Sequence, residues 1–171
     1  MIQKKICMLG SNAVGKTSLV ARFVRSIYSE VYYATVGVKI DKKSLTLDGH
    51  ELNLILWDLA GDDEFQKHRT AYLAGAAGYL LIVDGTRRES LETALRVQAA
   101  TEESLGPLPF VCVLNKTDLH DEWQLDDQEI ASFGGRGWTI CYASAKTGEG
   151  VEAAFLNLGG KLLARPGSVQ K

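Results

Sequence analysis

Hydrophobic positions fall along the chain in two rhythms. Four short apolar runs rich in β-branched residues recur at wide spacing: ICMLG from Ile6, YLLIVD from Tyr79, FVCVLN from Phe110 and TICYAS from Thr139. Between most of them lie stretches with helical spacing, such as ESLETALRVQAATEESL, where Leu91, Leu95 and Val97 alternate with polar positions. Buried strands joined by helices require right-handed crossovers, which predicts a parallel sheet covered on both faces. One segment keeps a different rhythm. VKIDKKSLTLDGHELNLILWD alternates polar and apolar residues on both sides of Asp48-Gly49, a dipeptide whose tolerance of positive φ makes it the strongest short hairpin signal. The expectation is an α/β fold: a mostly parallel, roughly six-stranded sheet with one antiparallel edge strand, and about five helices on its two faces. Pro107, Pro109 and Pro166 fall at element boundaries, and there is no internal repeat, low-complexity tract or linker.

Composition narrows this picture without redirecting it. A chain of 171 residues fits one domain, expected to span residues 1–171. Its 19 basic and 21 acidic residues leave a net charge of −2, so no global field recruits nucleic acid or an anionic membrane surface. Cys7, Cys112 and Cys141 each lie in an apolar run and are expected to be buried, reduced thiols. The start, MIQKKICMLG, turns polar too soon for a signal peptide. No apolar run approaches the roughly 20 residues that span a bilayer. ARPGSVQK at the carboxyl end holds no cysteine for a prenyl group. These features lead to the expectation of a soluble, cytoplasmic protein with no lipid anchor in this chain.

Gly10 to Thr17 read GSNAVGKT, between the first strand run and a helical pattern, KTSLVARFV. This is the context that G-x-x-x-x-G-K-[ST] demands. Glycine lets the chain wrap closely enough for successive N–H groups to face phosphate oxygens, and the helix amino terminus adds partial positive charge. Lys16 would reach the β- and γ-phosphates, while the Thr17 hydroxyl would ligate Mg²⁺. The expected phosphate-side residues are Gly10, Asn12, Ala13, Val14, Gly15, Lys16, Thr17 and Ser18. Asn12 and Ala13 stand where glycines are common, although neither side chain need enter the cradle.

Phosphate loops serve ATP and GTP alike, so the base edge must discriminate. Asn115-Lys116-Thr117-Asp118 ends a buried strand run, at the sheet edge where ligands meet α/β folds. A carboxylate there can accept both N1–H and the exocyclic amine of guanine, whereas adenine offers no matching pair of donors. Ser144-Ala145-Lys146 ends the last run, where a backbone N–H can meet the guanine O6. A kinase acting on a small molecule is disfavoured, because these two elements together make a guanine site.

With these motifs in order, the chain resembles the Ras superfamily of small GTPases, within it the Rab-like branch, over about residues 4 to 164. GSNAVGKT is similar to the family's phosphate loop, YYATVGVKI carries Thr35 where the first-switch threonine stands, and WDLAG places Asp58 and Gly61 at the second switch. NKTD and SAK match the two base-reading motifs. The resemblance implies a P-loop NTPase G domain that binds GTP and GDP with Mg²⁺. Thr17 and Thr35 would ligate the metal, Asp58 would hold it through water, and the Gly61 N–H would sense the γ-phosphate. Tyr28 would pack across guanine, and Lys16, Thr35, Gly61 and Asp62 would form the catalytic set. Loss of the γ-phosphate would relax both switch loops, which report nucleotide state to an effector, exchange factor or activating protein.

Two departures from the family pattern stand out. Asp62, first of the acids in DLAGDDEF, occupies the place of a glutamine that orients water. Glutamine accepts and donates at once, whereas ionised aspartate only accepts. A carboxylate about 5 Å from one phosphate charge costs on the order of 3 kcal/mol at an effective dielectric near 20. Either Asp62 turns outward with Asp63 and Glu64, giving a slow hydrolase with an acidic patch for a basic partner, or it points inward as a base. Repulsion favours the outward pose. A GTP-binding scaffold or dimerisation module with negligible hydrolysis is the alternative. The second departure is the missing terminal cysteine, which leaves open a truncated chain, a soluble prokaryotic relative or a domain of a larger protein.

Other residues invite quieter readings. His50, His68 and His120 are separated and expected in exposed loops, and the acidic run Asp118 to Glu129 is expected to be a solvated loop and helix start. Tyr32, Tyr33 and Phe65 are candidate partner contacts, while Trp57 is at least as well explained by sheet packing.

Overall fold

Each apolar run sends alternate side chains to opposite faces, and both faces are buried. In β4 (Gly78–Asp84), Leu80 and Ile82 join one core while Tyr79, Leu81 and Val83 join the other. In β5 (Phe110–Asn115), Val111 and Val113 divide from Cys112 and Leu114 in the same way. This two-sided burial is why these strands read as continuous hydrophobic runs. The computed structural model describes residues 2–25, 38–59 and 71–164. Its other strands are β1 (Ile2–Leu9), β2 (Val38–Leu47), β3 (His50–Leu59) and β6 (Ile140–Tyr142). They lie in the order β2-β3-β1-β4-β5-β6, with every neighbouring pair parallel except β2–β3.

The hairpin lies where the alternation put it. Asp48 and Gly49 both have positive φ, at 49° and 80°, and Leu47 pairs with His50 across the turn. His50 therefore begins a strand, although it is exposed as expected. β1 starts earlier than its apolar run because Lys4 and Lys5 pair with Leu54 and Ile55 of β3. Lys5 lays its stem along the sheet, its ammonium 3.6 Å from the Trp57 ring centroid and 2.8 Å from the Ala74 carbonyl. Trp57 is thus a half-buried sheet residue, the packing reading of the two.

Helices α1 (Lys16–Arg25) and α4 (Val151–Ala164) cover one face, with Phe23 stacked on Phe155 at 3.9 Å. On the other face α2 (Arg88–Leu105) buries Leu91, Ala94, Val97 and Thr101 at helical spacing, beside α3 (Asp127–Gly135). A 3₁₀ helix spans Thr117–Glu122. Cys7 and Cys112 are buried, but Cys141 is half-exposed because β6 is a short edge strand. Burial pushes the Cys7 and Cys112 thiols up to about 12, as inert structural cysteines require.

Candidate functional site

Parallel strands bring β1, β4, β5 and β6 to one carboxyl edge, and the sequence motifs follow directly from those strand ends. The loop after β1 runs back into α1, whose first residue, Lys16, is buried. Its ammonium donates to the carbonyls of Gly10 at 3.1 Å and Ser11 at 2.9 Å. Gly15 has φ +106°, and a Cβ there would lie 2.2 Å from Nδ2 of Asn115. Only glycine lets the base motif come this close to the loop. Asn115 uses that approach to donate to the Val14 carbonyl at 2.9 Å, while its Oδ1 accepts from the Ala145 N–H at 3.2 Å. One buried side chain thereby joins all three motifs.

Lys116, at φ 74°, reaches the Ala13 carbonyl at 3.1 Å and the Asp84 carboxylate at 2.8 Å. Ser144 donates its hydroxyl to Asp118 at 2.7 Å and accepts from the Thr147 N–H at 3.1 Å, which orients the Asp118 carboxylate. Between these groups lies a cavity of about 140 Å³ lined by Gly15, Ser18, Asn115, Lys116, Asp118, Leu119, Ala145 and Lys146. A larger one, about 270 Å³ between Arg22, Phe23, Lys43 and Val151, includes none of the motif residues.

Thr17 donates its hydroxyl to Oδ2 of Asp58, the penultimate residue of β3, opposite Met8 of β1. The other oxygen, Oδ1, is buried and finds no hydrogen-bond partner among the described residues. Burial pushes the Asp58 carboxyl up, against the Thr17 hydrogen bond and the charges of Lys16 and Lys39. A buried carboxylate oxygen with an idle lone pair, beside a threonine hydroxyl, is the hard-oxygen chemistry that suits Mg²⁺.

A sequence model of the Ras family matches residues 5–164. The chain belongs to the Ras family. It is also 35% identical over 167 residues to the Ras-related protein Rab-18-B of Danio rerio, covering 95% of this chain and 80% of that protein. It is a Rab-like small GTPase, and its sheet is that of the Ras-like fold. Among the described residues no helix is long and apolar enough to cross a membrane.

Of the residues expected from sequence, those of the phosphate loop after β1, the start of α1, β3, the end of β5 and the segments that follow β5 and β6 come together as above. Tyr28, Tyr32, Tyr33, Thr35, Gly61, Asp62, Asp63, Glu64, Phe65 and His68 lie outside the described residues. Sequence reasoning passed over Asp84, Thr86 and Arg87. The available signal was the acid closing the apolar run YLLIVD, followed after Gly85 and Thr86 by the two arginines Arg87 and Arg88.

Proposed function

We propose that this Ras-family chain forms one G domain over residues 1–171 that binds GTP and GDP in the cavity at the sheet's carboxyl edge and hydrolyses GTP slowly. The observation that carries the reading is the Asn115 clasp, which ties the phosphate loop at Val14 to the last base motif at Ala145. Asp118, held by Ser144, would accept N1–H and the exocyclic amine of guanine. Lys16 and the loop amides would hold the phosphates, and Tyr28 would cover the base. Thr17, Thr35 and Asp58 would hold Mg²⁺, the last through water. The bound ion would supply charge neutralisation at the β- and γ-phosphates.

Thr35 and the Gly61 N–H would report the γ-phosphate to effectors and regulators. In this reading Asp62 would turn outward, because phosphate repels its carboxylate, and a basic partner would complete catalysis. Single-turnover GTP hydrolysis by wild type, Asp62→Gln and Asp62→Ala at saturating Mg²⁺ tests it. Asp62→Gln should be faster than wild type, since its amide restores a donor and removes a like charge. A slower Asp62→Gln would instead support an inward base, and no turnover in any variant, with or without partners, would support a scaffold.

A further inference from the structure

Asp84 closes β4 with 1% of its surface exposed, and its carboxylate gathers four donors. Oδ1 accepts from the Thr86 N–H at 2.9 Å and hydroxyl at 2.6 Å, and Oδ2 from Arg87 Nε at 3.0 Å and Lys116 Nζ at 2.8 Å. The Ser90 hydroxyl, at the start of α2, accepts from the Asp84 N–H at 2.9 Å and so fixes the backbone beneath it. Both cations then reach past Asp84 to the phosphate loop. Arg87 donates to the Asn12 carbonyl at 2.7 Å, and Lys116 to the Ala13 carbonyl at 3.1 Å.

Because N–H and C=O of a trans peptide point in opposite directions, pinning one carbonyl aims the next residue's N–H the other way. Arg87 on Asn12, Lys116 on Ala13 and Asn115 on Val14 hold three successive carbonyls. The N–H groups of Ala13, Val14 and Gly15 are thereby turned together toward the opposite side, the arrangement of an anion-binding nest. Ala13 and Lys116 hold left-handed φ of 62° and 74° without being glycine, a conformation that persists only where its surroundings enforce it.

We infer that Asp84 and Arg87 are positioning residues for nucleotide retention: anchored on Asp84, Arg87 and Lys116 hold the phosphate-loop amides in their phosphate-facing orientation. This rests on the proposed nucleotide site and goes beyond its motif residues. The brace acts on the phosphates shared by GDP and GTP, so its loss speeds release of both and leaves the choice of base untouched.

Release of a fluorescent GDP and a fluorescent GTP analogue is timed by stopped flow from the full chain in Mg²⁺, alongside thermal unfolding and GDP-against-XDP competition. Asp84→Asn, which keeps the shape and drops the charge, should release both nucleotides about tenfold faster. Arg87→Ala should release them several-fold faster, with Arg87→Lys recovering part of the loss. The double variant should fall short of the product of the two, because both act through one brace. Competition between GDP and XDP should stay at the wild-type ratio. Arg87 is partly exposed, so Arg87→Ala decides alone if Asp84→Asn does not fold. Release within about twofold of wild type in folded variants overturns the brace, as does lowered stability with unchanged release or an altered base preference. A wild-type chain that retains no GDP would instead remove the nucleotide site itself.

Discussion

Burial alone would push the Asp84 carboxyl above the ordinary 3.8, yet hydrogen bonds from Lys116, Thr86 and Arg87 outweigh it and hold the group below that value. The unfolded chain therefore takes up this proton first as pH falls. Asp84's contribution is complete above 3.8 and is lost as pH drops through the depressed folded value. Asp84→Asn should cost about 1–3 kcal/mol at neutral pH, and the gap to wild type should narrow as the pH passes below that ordinary value. Urea unfolding of both proteins across that range measures it, and a gap that widens toward acid would contradict the sign. At this scale Lys16, Asn115 and Asp118 were legible because phosphate and guanine demand those groups at fixed spacing. The Arg87–Asn12 contact was not, since it joins positions 75 residues apart. The pairing of Leu9 with Leu81 is what brings those two loops together.

Elements were legible wherever burial imposed a period. Alternation gave the β2–β3 hairpin and continuous runs gave β4 and β5, whereas β1 outran its apolar run because lysine stems cover sheet surface without registering as hydrophobic. The half-exposure of Cys141 depends on β6 being a three-residue edge, which its apolar neighbours do not reveal. Gly85, between β4 and α2, shows how closely such elements meet. Its N–H donates to the Asn115 carbonyl at 3.0 Å, its own carbonyl accepts from Gln124 at 2.8 Å, and a Cβ would lie 1.9 Å from the Trp123 ring. Gly85→Ala must displace that indole, and should cost about 1–3 kcal/mol by overpacking. A denaturant midpoint equal to wild type would show that the 3₁₀ segment yields freely.

Across the whole molecule, strand order does what no local pattern announces. With β1 between β3 and β4, and β5 and β6 following on one side, the phosphate loop, Asp58, Asn115 and Ser144 arrive at one carboxyl edge from four separate strands. The motifs were readable singly, and their convergence was expected through the resemblance to the Ras superfamily rather than from periodicity. The central claim is that this edge selects guanine through Asp118. Asp118→Asn leaves an oxygen for the Ser144 hydroxyl but presents a donor to the base, matching the carbonyl that xanthine carries in place of the guanine amine. Calorimetric titration of wild type and Asp118→Asn with GDP and XDP should show GDP affinity falling by about a hundredfold or more while XDP affinity rises. Unchanged GDP affinity with no gain for XDP would contradict the account.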